Sequence, residues 1–143
     1  MVDVGEKPIT ARRARASGRI GMEPETLRLI RDRHAAKGDV LEVARLAGIM
    51  GAKRTAELIP LCHPVPLDRV EIRFGFPSER TLTIEAEARA TARTGVEMEA
   101  LTAVAAAALT VYDMCKAVDR AMTVEFIHLE EKSGGKSGHF VRR

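Results

Sequence analysis

The sequence is poor in aromatics and in cysteine. Of 143 residues none is Trp, one is Tyr and four are Phe, 3% aromatic in all. That leaves little material for a base-stacking platform of the kind single-strand RNA readers use. Arg73-Phe74-Gly75-Phe76 has the outline of the RNA-recognition strand motif, yet Arg73 stands where that motif has glycine, and Phe74 and Phe76 read as core. Only Cys62 and Cys115 occur, without Cys-x-x-Cys spacing. A disulfide framework is therefore not expected, a reducing compartment is, and both cysteines read as buried thiols. Met1-Val2-Asp3-Val4 opens no apolar signal region. The run Ala103 to Ala108 is too short, and too closely flanked by charge, to span a bilayer. The expectation is a cytoplasmic chain with no membrane partner. No repeat and no linker divides the sequence, so residues 1–143 read as one domain, long enough to bury a core without staples. Nor does one charge dominate: 23 Lys and Arg face 20 Asp and Glu, a net charge of +3. That mild excess suits an anionic partner, a polyphosphate as well as a nucleic acid.

The chain is rich in alternation and in helix punctuation. Thr10 to Ile20 reads as a strand. Glu23-Pro24-Glu25 opens a helix, with proline near its first turn and acid at its positive end. Leu27, Ile30 and His34 fall on one face of it, and Gly38 ends it. Asp39 with Glu42 three residues on is an N-cap and capping-box pattern. The segment it opens runs through Val43, Leu46, Ala47 and Ile49, breaks near Gly48 and Gly51, and resumes to Ile59. Pro60, Pro64 and Pro66 hold Leu61-Cys62-His63 in an extended loop. Val70 to Phe76 and Leu82 to Ala88 alternate as a hairpin with one face buried. Thr94-Gly95-Val96-Glu97 resembles a second capping box, opening a helix to about Val118. Met122, Val124, Phe126, His128 and Glu130 form one face of a last strand. The order is βαββαβ, an α+β ferredoxin-like sandwich with an antiparallel sheet and helices on one face. The last helix is apolar nearly all round from Leu101 to Val111, and its small residues let another helix come close. A homo-oligomer would cover it, as would long loops of the same chain.

Several groups could carry chemistry. Asp113 and Lys116, three apart, share a helix face and emerge from an apolar stretch. Desolvation and pairing would make them an acid–base pair, though a surface ion pair is the plainer interpretation of those two alone. His63, between prolines, is rigidly held, as a positioned acid or base would be; no partner ligands at short spacing mark a metal site, and a packed loop histidine fits as well. Lys132-Ser133-Gly134-Gly135-Lys136-Ser137-Gly138 could cradle phosphate or be a flexible basic tail. It is not a Walker A loop, since Glu130 stands where the first glycine belongs. Lys37 and Lys53-Arg54 lie beside chain breaks, where lysines can converge on a polyphosphate. Glu97 has a structural use in the capping box; Glu99 has none, which makes it the better functional candidate of the two.

Taken together, Met1-Val2-Asp3-Val4, Lys37-Gly38-Asp39-Val40, Ala52-Lys53-Arg54-Thr55, Leu58-Ile59-Pro60-Leu61-Cys62-His63-Pro64, Thr94-Gly95-Val96-Glu97-Met98-Glu99-Ala100-Leu101-Thr102, Tyr112-Asp113-Met114-Cys115-Lys116-Ala117-Val118 and the glycine-rich segment resemble the cyclic pyranopterin monophosphate synthase family of molybdenum cofactor biosynthesis. The resemblance covers nearly the whole chain, although the chain starts directly on Val2-Asp3-Val4 and has His139 where some members have an acid. It implies a ferredoxin-like subunit in a homohexamer, a trimer of dimers, with active sites at subunit interfaces. The implied enzyme is a lyase that takes a cyclised dihydro-GTP to cyclic pyranopterin monophosphate and diphosphate, with no nucleic-acid partner. Asp113 and Lys116 match the family's catalytic aspartate and lysine, and Lys37 a further catalytic lysine. His63, Glu97 and Glu99 match residues lining the purine and ribose part of the site. Asp3, Arg12, Lys53 and Lys132 match residues at the site or its triphosphate end. The implied reaction requires no redox cofactor, no protein-held metal is expected, and a magnesium ion travelling with the triphosphate is left open. The alternative, a non-catalytic ferredoxin-like module binding nucleotide or RNA, explains fold and charge but not the grouping of Asp113, Lys116 and His63 with apolar neighbours.

Overall fold

Small residues on one side of a strand let helices lie close to it. In a computed structural model of residues 1–143, β1 (Thr10–Gly21) buries Ala14, Ala16, Gly18 and Ile20. Arg13, Arg15, Ser17 and Arg19 alternate to the opposite side. The chain continues through α1 (Pro24–Arg31), α2 (Val40–Lys53), α3 (Thr55–Leu58), the hairpin β2 (Leu67–Ser78) and β3 (Thr81–Ala92), α4 (Glu97–Cys115), β4 (Thr123–Ser133) and β5 (Phe140–Val141). Every strand pairing is antiparallel, in the order β2-β3-β1-β4-β5. The first four strands reproduce the expected ferredoxin-like order. The fifth is an addition, formed where the glycine-rich segment turns back on β4.

The helices lie on the alanine side. Ala86, Ala88 and Ala90 of β3 continue the floor that β1 begins, and α4 packs across both strands. Its second side is covered by α2 of the same chain, so the cover the sequence left open between a partner and loops is supplied by a helix. The close approach depends on Gly48 and Gly51. They were expected to break α2, yet the helix runs through them. A Cβ on Gly48 would lie 3.0 Å from the Ala103 carbonyl, and one on Gly51 2.8 Å from the Ala106 methyl. What α2 buries is the small stripe Val40, Ala44, Gly48 and Ala52, while Val43, Leu46 and Met50 are exposed, as is Leu109 of α4. By length and composition α4 would pass for a membrane span; here it is the central core helix.

Other boundaries differ for local reasons. The Asp39 side chain caps α2 by accepting from the Glu42 amide at 3.3 Å, but α1 stops at Arg31, well before Gly38, because Arg33 takes φ 59°, the left-handed region. His34 is therefore outside the helix and exposed. The Thr94–Glu97 capping box does not form: the N-cap is Val96, and no side chain caps α4. Its end comes at Cys115, short of Val118. In β4, irregularities in the pairing with β1 at Glu125 and Glu130 break the alternation. Val124 packs with the core, whereas His128 and Glu130 meet Ser17 on the open face. Phe74 packs against the core, as expected, but Phe76 is exposed beneath Arg31.

The open face is a ladder of ion pairs. Arg13 meets Glu87 at 2.8 Å, Arg15 meets Glu85 at 2.9 Å, Arg73 meets Glu85 at 2.8 Å and Arg19 meets Glu125 at 2.6 Å. Its charges are largely matched within the chain, which leaves the chain's basic character to be concentrated elsewhere.

Candidate functional site

The start of β1 and the loop after β4 enclose that concentration. A cavity of about 500 Å³ lies between them and the start of α4, lined by Lys7, Arg12, Arg93, Lys132 and Lys136 with Glu97 as the one acid. Pro8 is the one apolar residue in its lining apart from glycine. Arg12 is fixed at its wall, donating to the Ala92 carbonyl at 3.2 Å and the Arg93 carbonyl at 3.1 Å. Gly134 and Gly135, at φ 97° and 78°, wrap the loop against Ala11 and Arg12 with no space for a Cβ. Lys132 donates to Ser137 across the same loop. The Thr10 hydroxyl, also at this cavity, is buried and has no hydrogen-bond partner. Five cations and two glycine turns give the cavity the charge and the close backbone approach that suit a polyanion.

A second hollow of about 360 Å³ adjoins the first and shares Lys7 and Glu97 with it. His63 and Glu99 line it, beside Cys62 and Met98. Glu97 reaches both because it stands at the first turn of α4 and its carboxylate folds back over Gly95, where a Cβ would collide with it. Glu99 is 4% exposed, and burial pushes its carboxyl above the usual range, with the charge of Glu97 adding to the effect. Burial likewise raises the Cys62 thiol. Lys53 stands apart from the basic cavity, in a smaller hollow that it shares with Glu99. Asp3 turns onto its own loop, where its carboxylate accepts from the Gly5 amide at 2.8 Å.

Asp113, Lys116 and Lys37 are gathered at the other end of α4. Asp113 meets Lys116 at 2.9 Å and Lys37 at 3.1 Å, and Lys37 also donates to the Asp113 carbonyl at 3.2 Å. Lys37 comes from the loop after α1, a meeting no sequence spacing announces. The dry setting expected for this group is absent within the chain: the Asp113 side chain is 56% exposed and both lysines are about half exposed. Pairing outweighs the slight desolvation there. Lys116, then Lys37, holds the Asp113 carboxyl below its ordinary range, and Asp113 raises Lys116.

The sites thus form two groups separated by a 19-residue helix, about 28 Å long at 1.5 Å per residue. Arg12, Lys132, Glu97, Glu99 and His63 are near one end; Asp113, Lys116 and Lys37 are at the other. Sequence reasoning overlooked Lys7 and Arg93, whose segments carry no motif, and Thr10, which looked like any strand residue. No three His, Cys, Asp or Glu side chains converge as a metal cage would require.

The model of the MoaC family matches residues 1–135. The chain is 64% identical over 143 residues to the cyclic pyranopterin monophosphate synthase of Thermomicrobium roseum, covering 99% of this chain and 86% of that protein. It is 61% identical over 142 residues to cyclic pyranopterin monophosphate synthase 3 of Mycobacterium tuberculosis, covering 99% and 80%. With the synthase of Chloroflexus aurantiacus it shares 59% over 143 residues, covering 99% and 88%.

Proposed function

Because the chain belongs to the MoaC family, we propose that it serves molybdenum cofactor biosynthesis as a phosphorus–oxygen lyase, converting a cyclised dihydro-GTP into cyclic pyranopterin monophosphate and diphosphate. The observation that carries the reading is the division of chemistry along α4. A polyanion receptor adjoins a hollow with a buried acid and a histidine, and an exposed Asp–Lys–Lys group waits at the opposite end.

In this reading the triphosphate lies against Arg12 and Lys132, with Lys7, Arg93 and Lys136 around it, and the purine and ribose face His63, Glu97 and Glu99. Asp113, Lys116 and Lys37 move the protons that ring opening and pterin closure require. A substrate hydroxyl then gives its proton to a basic group of that set and attacks the innermost phosphorus. The new P–O bond closes the cyclic phosphate, and the bond to diphosphate breaks with its electron pair on the leaving oxygen. Charge on that oxygen grows in the transition state, where fixed cations stabilise it most. No step needs a redox cofactor; a magnesium ion would enter only with the triphosphate.

One small substrate cannot touch both ends of α4. The reading therefore requires a neighbouring copy to bring its Asp113 end to this chain's pocket, within a cytoplasmic homohexamer built as a trimer of dimers. The exposed Val43, Leu46, Met50 and Leu109 offer apolar surface for such assembly. Turnover is tested by mass spectrometry of the cyclised substrate incubated with the chain: release of diphosphate and the cyclic monophosphate is expected, and unchanged substrate would sink the reading. Sharing of the site is tested by reassembling mixed Lys132→Ala and Lys116→Ala subunits. At substrate too dilute for Lys132→Ala to bind it, two impaired variants that regain turnover on mixing share a site; continued low turnover of verified mixed oligomers places the site within one chain.

A further inference from the structure

Lys116 stands at the C-cap of α4, just past its last helical residue. The direction of its side chain therefore depends on the turn that follows. Three sets of bonds shape that turn. The Asp119 amide donates to the Cys115 carbonyl at 3.1 Å. The Tyr112 hydroxyl donates to the Arg120 carbonyl at 3.1 Å. The Asp119 carboxylate accepts from the Glu23 amide and the Thr26 hydroxyl, each at 3.0 Å. The first two stay within the end of α4. The third leaves it and reaches the start of α1.

Past its own end, α1 runs into the loop that carries Lys37, and Lys37 returns to the carboxylate and carbonyl of Asp113. The α1 segment thus holds the end of α4 at two points, Asp113 and Asp119, and Lys116 lies between them. Asp119 is 7% exposed and Thr26 is buried with it. A buried carboxylate that meets no cation is costly unless its oxygens are hydrogen-bonded. Here both donors converge on a single oxygen, Oδ2.

We propose that Asp119 is a positioning residue for the reaction. It pins the turn that aims Lys116 onto the start of α1, and through α1 it keeps Lys37 against Asp113, so that the three groups meet the substrate in one arrangement. This rests on the activity proposed above. Proton-transfer groups are sensitive to small displacements, and about 1 Å of misplacement can cost on the order of a hundredfold in rate.

Three variants test it. Asp119→Ala removes the acceptor, Asp119→Asn keeps one oxygen where the two donors converge, and Thr26→Val keeps the shape but drops one donor. In Asp119→Ala, kcat is expected to fall on the order of 10- to 100-fold. KM and the affinity for inorganic triphosphate should stay within about twofold, because the polyanion pocket is at the far end of α4. Asp119→Asn should recover most of the loss, and Thr26→Val should fall between. Amide exchange in residues 116–120 and around Lys37 should speed up in Asp119→Ala and slow again in Asp119→Asn. A residue that merely supports the fold would lower melting temperature while kcat per folded molecule stayed normal, and that result overturns the proposal. So does an Asn variant as impaired as the Ala variant, which would make the charge the active feature rather than the bonds. Should Asp119→Ala not fold, the other two variants carry the test. If the unaltered chain shows no turnover, the functional reading fails instead, and the exchange comparison still decides whether Asp119 ties the Lys37 loop to α4.

Discussion

The two ends of α4 hold carboxylates in opposite circumstances. Glu99, in the first turn, is buried, and burial pushes its carboxyl up. Asp113, in the last turn, is exposed, and Lys116 and Lys37 hold its carboxyl down. Two acids on one helix are thus driven apart in proton affinity, one by burial and the other by ion pairing. The difference also shows which end is finished. The Glu99 end has walls, an adjoining polyanion pocket and a desolvated acid within one chain. The Asp113 end has its groups in place but no cover. Pairing drives Asp113 and Lys116 away from neutrality in both directions. Desolvation by a partner or a substrate would bring them back toward it.

The largest expected effect comes from removing the unfinished end's cation. Lys116→Ala should lower turnover by about 10³-fold, within the range a positioned acid or base contributes. Circular dichroism should be unchanged, because the side chain is exposed and its ion pair adds little to stability. Turnover within tenfold of normal would remove Lys116 from the chemistry and leave the comparison without its catalytic half.

A smaller effect separates binding from rate. Lys132→Ala should weaken binding of inorganic triphosphate by about 10- to 100-fold, the loss of one charge-assisted hydrogen bond. Asp113→Asn should keep that affinity and lose turnover. Lys53→Ala should weaken triphosphate binding less than Lys132→Ala does, since Lys53 shares its hollow with Glu99 and not with the basic pocket. Titration calorimetry on the three variants orders them. An Asp113→Asn variant that binds as poorly as Lys132→Ala would make Asp113 a ligand-orienting group and merge the two ends into one function.

Much of this was legible in the sequence, because period-two and period-3.6 patterns report burial directly. The hairpin, the Asp39 cap, the apolar α4 and the ferredoxin-like order all follow from residue spacing. What escaped notice depends on contacts between segments distant in the chain. Gly48 and Gly51 read as helix breaks, and only the approach of α4 shows that they are packing residues. The capping box at Thr94 failed because α4 starts at Glu97 with Val96 at its N-cap, so Thr94 and Glu97 do not occupy the N-cap and third helical positions. Lys37 reaches Asp113, and Lys7 and Arg93 join Lys132, through the fold alone. The motifs identified the site residues but not that they fall into two groups.

The smallest effect sharpens the comparison most, since it applies the same swap, carboxyl to amide, at both ends. The Glu99 carboxyl has a higher proton affinity in the folded chain than the roughly 4.3 of an unfolded glutamate. Folding therefore favours its protonated form. The burden on stability is absent at acid pH, appears as pH rises past the unfolded value, and is complete above the folded one. Glu99→Gln has no proton to lose. Its melting temperature should match the unaltered chain near pH 4, rise above it as pH climbs, and settle a few degrees higher at pH 8. Turnover should fall meanwhile, because Glu99 lines the hollow that the proposed substrate enters. Asp113→Asn should show no such pH-dependent gain, since its carboxyl is exposed and held down rather than up. Scanning calorimetry from pH 4 to pH 8 on both variants provides the check. If Glu99→Gln melts below the unaltered chain at pH 8, the Glu99 carboxylate is stabilised where it lies, and the contrast between the two ends of α4 does not hold.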